Sequence, residues 1–205
     1  SKVGDRRPAA PARRPAAEKN IVCHRSSCDR KSSCDVDDSG FVGEHGGDLP
    51  ASYLSFLTCF TSAPILYIRG NHDDRYDKHP PEGCECIEDQ VVTVGGLRIL
   101  GLGGSMRYNR GINQYTEREM RQRVNRLRFK LWRSGGIDIL LTHSPARHLG
   151  DDTDLAHIGF ETFLDVMDRY HPRYMVHGHV HQNYQYNFKR IRQHGDTTVI
   201  NAFGY

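Results

Sequence analysis

The chain has 205 residues, 37% of them hydrophobic and 26% charged, with a formal net charge of +3. That length and balance describe one globular domain, the charge is too small to argue for a nucleic-acid partner, and no apolar run approaches the ~18 residues of a membrane span, so no membrane partner is expected. Six cysteines without a C-x-x-C pair give little ground for structural zinc, and with no signal peptide legible, reduced thiols in a cytoplasmic setting are the expectation.

Residues 1–46 read differently from the rest. Arg, Pro, Ala and Ser dominate over 6–17 and again over 25–33, and "DRRPAAPARRPAA" has no apolar face, so it reads as a flexible tail rather than a transit peptide. Only Ile21, Val22 and Cys23 are strand-like there. Composition turns ordinary at "GDLPASYLSFL", and the domain is expected to run over 47–205.

From that point elements follow in order. Tyr53, Phe56, Leu57 and Phe60 recur at helical spacing and predict a helix burying that face. "PILYIRGNHDD" predicts a strand over 65–68 that runs into Asn71, His72, Asp73 and Asp74. "VVTVGGLRILGLGG" predicts a hairpin, 91–94 and 97–102, about Gly95-Gly96. Thr116 and Glu119 form a capping box opening a helix with Met120, Val124, Leu127 and Leu131 on one stripe. "IDILLTHSP" predicts a strand over 137–141 leading to His143, with Pro145 ending it. A helix burying Phe160, Phe163, Leu164 and Met167 follows, then the strand "RYMVHGHV", and the antiparallel strands "NYQYNFKRI" and "TTVINAFGY" close an α/β chain.

Chemistry collects where strands end. "VHGHVHQN" puts His177, His179 and His181 on alternate positions, which share one face if the strand continues; Gly178 argues that the strand stops and that His179 and His181 lie in the loop beyond its carboxyl end, where ligands bind in open α/β sheets. Asn71, His143 and, in "HGGDLP", Asp48 stand at similar junctions. Oxygen and imidazole donors delivered from distant pieces of chain suit a divalent transition metal such as manganese, iron or zinc.

Gly47-Asp48, Gly70-Asn71-His72-Asp73, His143 and Gly178-His179-Val180-His181 resemble, in order and spacing, the signature of the calcineurin-like metallophosphoesterases. The resemblance implies two β-sheets packed together and flanked by helices (αββα), and a hydrolase that cuts phosphate mono- or diesters with two divalent metals. By the same resemblance Asp48 matches the bridging aspartate, Asn71, His143 and His179 the other ligands of the second metal, and His181 a ligand of the first. His72 matches a histidine that contacts the phosphate and helps the leaving group depart, with Asp73 orienting it from behind. The expected partner is a phosphate-ester substrate, with nucleic acid only in that role; oligomeric state is not legible.

The family opens with a strand ending in Asp-x-His, and no Asp-x-His follows "IVC" in this chain. Either His24, Asp29, Asp35, Asp37, Glu44 or His45 substitutes, or residues 1–46 are not the ancestral segment. Asp48 and His181 alone leave the first metal short of ligands, so the alternative expectation is a one-metal protein that binds phosphate ligands without turning them over, or an incomplete chain.

Smaller features invite weaker readings. Arg107, Asn109 and Arg110, with Tyr108, follow the Gly103-Gly104 turn and either touch the substrate's phosphate or form a polar loop. The arginine-rich "REMRQRVNRLRFKLWR" reads as a helix with its charges toward water. Asp151, Asp152, Asp154 and His157 either approach the metals or solvate their loop. "LGLGGS" lacks G-x-G-x-x-G spacing and is no dinucleotide site.

Overall fold

A computed structural model describes residues 51–180 and 189–202. Its centre is a six-stranded sheet in the order β3-β4-β7-β8-β10-β9, from β3 Gln90–Val94, β4 Leu97–Leu102, β7 Ile139–Thr142, β8 Tyr174–His177, β9 Ile191–His194 and β10 Thr197–Asn201. The inner strands β4, β7, β8 and β10 run parallel, while β3 and β9 pair antiparallel at the edges. Parallel inner strands are covered on both faces, which is why "ILLT" of β7 is apolar nearly throughout and fully buried.

Alternation along these strands sorts side chains into two cores. Leu100, Leu102, Leu140, Met175 and Val199 face the helices α2 Glu117–Arg126, α3 Arg128–Arg133 and α4 Glu161–Tyr170, packing on Met120, Leu127, Leu131, Phe163 and Val166. Ile99, Ile139 and Leu141 point the other way, onto Leu66, Ile68 and Ile87. Leu66 belongs to β1 Ile65–Tyr67, which pairs in parallel with β2 Cys84–Cys86 as a second, two-stranded sheet. Tyr67 faces away, packing with Tyr76 and Leu54 of α1 Ala51–Leu57. The result is helices, sheet, sheet, helix, the layering that the family resemblance implies, with the second sheet reduced to two strands among the described residues. Gly101 lies where the sheets approach most closely: a Cβ there would collide with the Ile87 carbonyl.

Three expectations need correction. Helix α1 ends at Leu57, and Leu54 is its buried residue, while Tyr53, Phe56 and Phe60 are exposed and Cys59 lies beyond the helix. The spacing was helical, but Tyr53 and Phe56 lie on the outer face and only Leu57 of that set packs against Tyr67 and Tyr76, a division that only the position of β1 could decide. The arginine-rich segment is two helices broken at Leu127, and Arg123 is buried rather than turned to water. It donates to both Asp89 oxygens and to the Gly103 carbonyl at 2.8 Å, pairs with Glu88, and lies 4.2 Å from the Tyr115 ring centre. The strand that pairs antiparallel with β10 among the described residues is Ile191–His194; 183–188 of "NYQYNFKRI" and 203–205 lie outside them.

The remaining elements match their signals. The 95–96 hairpin, the capping box at Thr116 and Glu119, and α4 with Phe163 and Met167 buried are all present. Two-residue strands β5 Ser105–Met106 and β6 Gln114–Tyr115 pin the loop after β4.

Candidate metal centre

Three strand ends meet at one point. Asn71 follows β1 after Gly70, His143 follows β7, and His179 follows β8 after Gly178; all three side chains are buried. His143 Nε2 lies 2.8 Å from Asn71 Oδ1 and 3.1 Å from His179 Nδ1. Donors sharing a first-row divalent ion at about 2.0–2.2 Å stand about 3 Å apart, so these spacings fit a common cation. Among the described residues no group of three His, Cys, Asp or Glu side chains could hold a metal; the third donor at this point is a carboxamide.

Local chemistry fixes each donor. His179 Nε2 donates to the Ala156 carbonyl at 2.7 Å, which places the proton on that nitrogen and leaves the Nδ1 lone pair of the neutral ring toward His143. The backbone at His179 is left-handed, φ 66°, and Val180 N–H donates back to the Gly178 carbonyl at 2.8 Å, a γ-turn of the positive-φ kind. Such a conformation costs about 1–3 kcal/mol in a non-glycine residue and persists where neighbours over-determine it. At this turn Gly178 N–H donates to the His143 carbonyl and Asn201 Nδ2 to the Val180 carbonyl, each at 3.1 Å. Asn71 is held from the other side: its Nδ2 donates to the Tyr108 hydroxyl at 3.0 Å, so Oδ1 is the atom turned to His143.

The other singled-out residues divide. His72 is exposed on the same loop as Asn71. Asp73 Oδ2 accepts the Gly70 N–H at 2.6 Å, a bond that shapes the loop, and burial pushes its carboxyl up to about 7 against that bond. His177 ends β8 inside the core, where burial drives its imidazole down to about 4 and Nδ1 donates to the Gly178 carbonyl. Arg107 is spent on Glu119 at 2.8 Å, and Asn109 Oδ1 accepts from Gly111 N–H and Gln114 Nε2; both build the loop. Arg110 is exposed beside them. Asp48 and His181 lie outside the described residues.

Two contributors were hard to read from sequence. Tyr108 stood out only as a member of a polar loop. The 151–158 loop is the wall behind His179: its Ala156 carbonyl takes the Nε2 proton, and the His157 ring lies 5.0 Å from the His179 ring. Asp154 grips His157 Nδ1 at 2.8 Å. Burial works to raise the Asp154 carboxyl, and the His157 hydrogen bond and charge with two backbone N–H groups outweigh it, holding it low. Nothing in a sequence marks a backbone carbonyl as a partner.

Known proteins match this chain in sequence and in fold. The human and mouse proteins named Metallophosphoesterase domain-containing protein 1 are each 28% identical over 204 residues, covering 80% of this chain and 59% of their own. The chain therefore spans about 59% of the length of these relatives. The crystal structure of TT1561 of Thermus thermophilus superposes with a TM-score of 0.51 at 15% identity, over 74% of this chain and 67% of that one, a likeness of fold alone. The profile of the calcineurin-like phosphoesterases matches residues 35–183, most of the length, and the chain belongs to that family.

Proposed function

We propose that the chain is a metal-dependent phosphoesterase that hydrolyses a phosphate mono- or diester. The observation that carries this reading is the convergence of Asn71 Oδ1, His143 Nε2 and His179 Nδ1 from three strand ends. Bound divalent ions at such a site polarise phosphoryl oxygens and ready a water for attack at phosphorus. Asn71, His143 and His179 would hold one such ion. Tyr108 fixes which end of the Asn71 amide faces it, and the Ala156 carbonyl fixes the His179 tautomer. His72, exposed on the Asn71 loop, contacts the phosphate and hands a proton to the leaving oxygen. Asp73 acts on that loop through Gly70, holding its turn. Asp48 would bridge to a second ion and His181 would supply one of its ligands, with the rest to come from elsewhere in the chain, and Arg110 is the loop residue left to meet the substrate.

A second reading, a one-metal protein that grips phosphate without turnover, is favoured by one fact: the donors gathered among the described residues account for a single ion. Metal content separates the two. After manganese loading and removal of excess, two ions per chain with hydrolysis of a phosphodiester support the first reading, and one ion with phosphate binding but no turnover supports the second. His72→Ala is expected to keep its metal and slow turnover; loss of metal in that variant would rule out a leaving-group role for His72.

A further inference from the structure

The basic helices divide into two populations. Arg121 and Arg123 are engaged with carboxylates, the first at 3.3 Å from Asp165. Arg126, Arg128, Lys130 and Arg133 are exposed and have no ion-pair partner among the described residues. They flank in sequence Phe129 and Trp132, which lie one turn apart on α3, 67% and 75% exposed, with ring centres 5.8 Å apart. Leu127 and Leu131 are buried beneath, so the aromatic pair is presented from a helix fixed to the core. A contiguous exposed apolar pair among cations is more informative than exposed side chains scattered singly.

We infer that this face of α3 docks on an anionic lipid surface. Aromatic side chains favour the boundary between headgroups and acyl chains, and cations without partners gain from a negative surface potential. The two rings lean on each other at 34°, forming one apolar knob with Arg128 and Arg133 next to it in sequence, which fits a lipid surface better than the extended stacking track of a nucleic acid. The missing apolar run bears on crossing a membrane and says nothing against lying on one; among the described residues no helix is long and apolar enough to cross. Geometry assigns the patch a tethering role. Helix α3 leads through Ser134 to Gly136 into the amino end of β7, whereas His143 follows its carboxyl end, so docking leaves the candidate metal centre uncovered.

Trp132 is the only tryptophan in the chain, so its fluorescence reports on this face alone. The test uses the full chain with vesicles of phosphatidylcholine, or of phosphatidylcholine with an equal part of phosphatidylglycerol. The expected result is a blue shift and co-sedimentation with the anionic vesicles only, weakened by added salt. Charge reversal of Arg128 and Arg133 to Glu is expected to reduce binding at least about fivefold for each charge lost, and Phe129→Ser about tenfold, both at exposed positions that leave the fold intact. No shift with anionic vesicles, equal binding to neutral ones, or unchanged binding by these variants overturns the proposal. So does an oligonucleotide that shifts Trp132 where vesicles do not, or a dimer that buries it without lipid. None of these outcomes touches the phosphoesterase reading, which is scored on metal and hydrolysis.

Discussion

Two buried polar clusters among the described residues differ in what they contain. Around Arg123 a buried cation meets Glu88, Asp89 and the Gly103 carbonyl, so it is fully partnered within the cluster. Burial raises the Glu88 carboxyl, and Arg123 works against that rise. At the strand ends Asn71 Oδ1 and His179 Nδ1 both lie within 3.1 Å of His143 Nε2, and no carboxylate–guanidinium pair is part of the group. The first cluster is complete as structure, pinning the loop after β4 to α2. The second sets two imidazoles and a carboxamide at one point, and hydrogen bonds from Gly178 and Asn201 hold the left-handed turn at His179. Burial of polar groups alone does not separate a site from a strut; the chemistry of the group does.

That contrast can be broken from either side. His143→Ala, or Asn71→Ala, is expected to abolish metal-dependent hydrolysis, a loss of more than about a thousandfold, with the melting temperature nearly unchanged, because the site is not what holds the sheets together. Undiminished hydrolysis in either variant would show that the assigned cluster is wrong. Arg123→Met makes the opposite kind of damage. It strands the Glu88 carboxylate and is expected to cost about 3–5 kcal/mol in urea denaturation. A cost below about 1 kcal/mol would mean that Glu88 simply takes up a proton in the variant, and that the cluster is less of a strut than its geometry suggests.

Smaller changes sharpen the comparison. Tyr108→Phe removes the hydroxyl that orients the Asn71 amide and is expected to weaken metal affinity about tenfold in a chelator competition, with the fold intact. Thr116→Ala removes the α2 cap and is expected to cost about 1 kcal/mol without altering metal affinity. Hydrogen bonds from the Thr116 backbone and side chain, and then Arg107, hold the Glu119 carboxyl below its ordinary value of 4.5. A depressed carboxyl stabilises the fold above the ordinary value and loses that contribution as pH falls through the lowered one, so the capping effect should fade on acidification below about 4.5 in wild type. A melting profile flat across that range would leave the cap without this pH term.

Much of the candidate site was legible because its residues announce themselves. Asn71, His143 and His179 each end a strand-like run, and the glycines at 70 and 178 mark where the chain must turn. Arg123 was misread because polar spacing on a helix cannot tell water from a buried carboxylate. The face of α1 was misread because an apolar repeat states that a helix has two sides, not which side meets Tyr67 and Tyr76. Arg107 and Asn109 left two readings open, substrate contact or polar loop, and both are used in hydrogen bonds that build the loop.

By itself the sequence determined the periodicities, the turn and cap positions, and the residue types able to bind metal, since these are properties of short segments. The tertiary structure alone decided which sides face inward, that donors 72 and 36 residues apart come within 3.1 Å, and that Tyr108 and the Ala156 carbonyl stand behind them. The physical reason is range. Propensity, capping and turn chemistry act over a few residues, whereas the site is made by strand ends brought together by burial of two cores on opposite faces of one sheet.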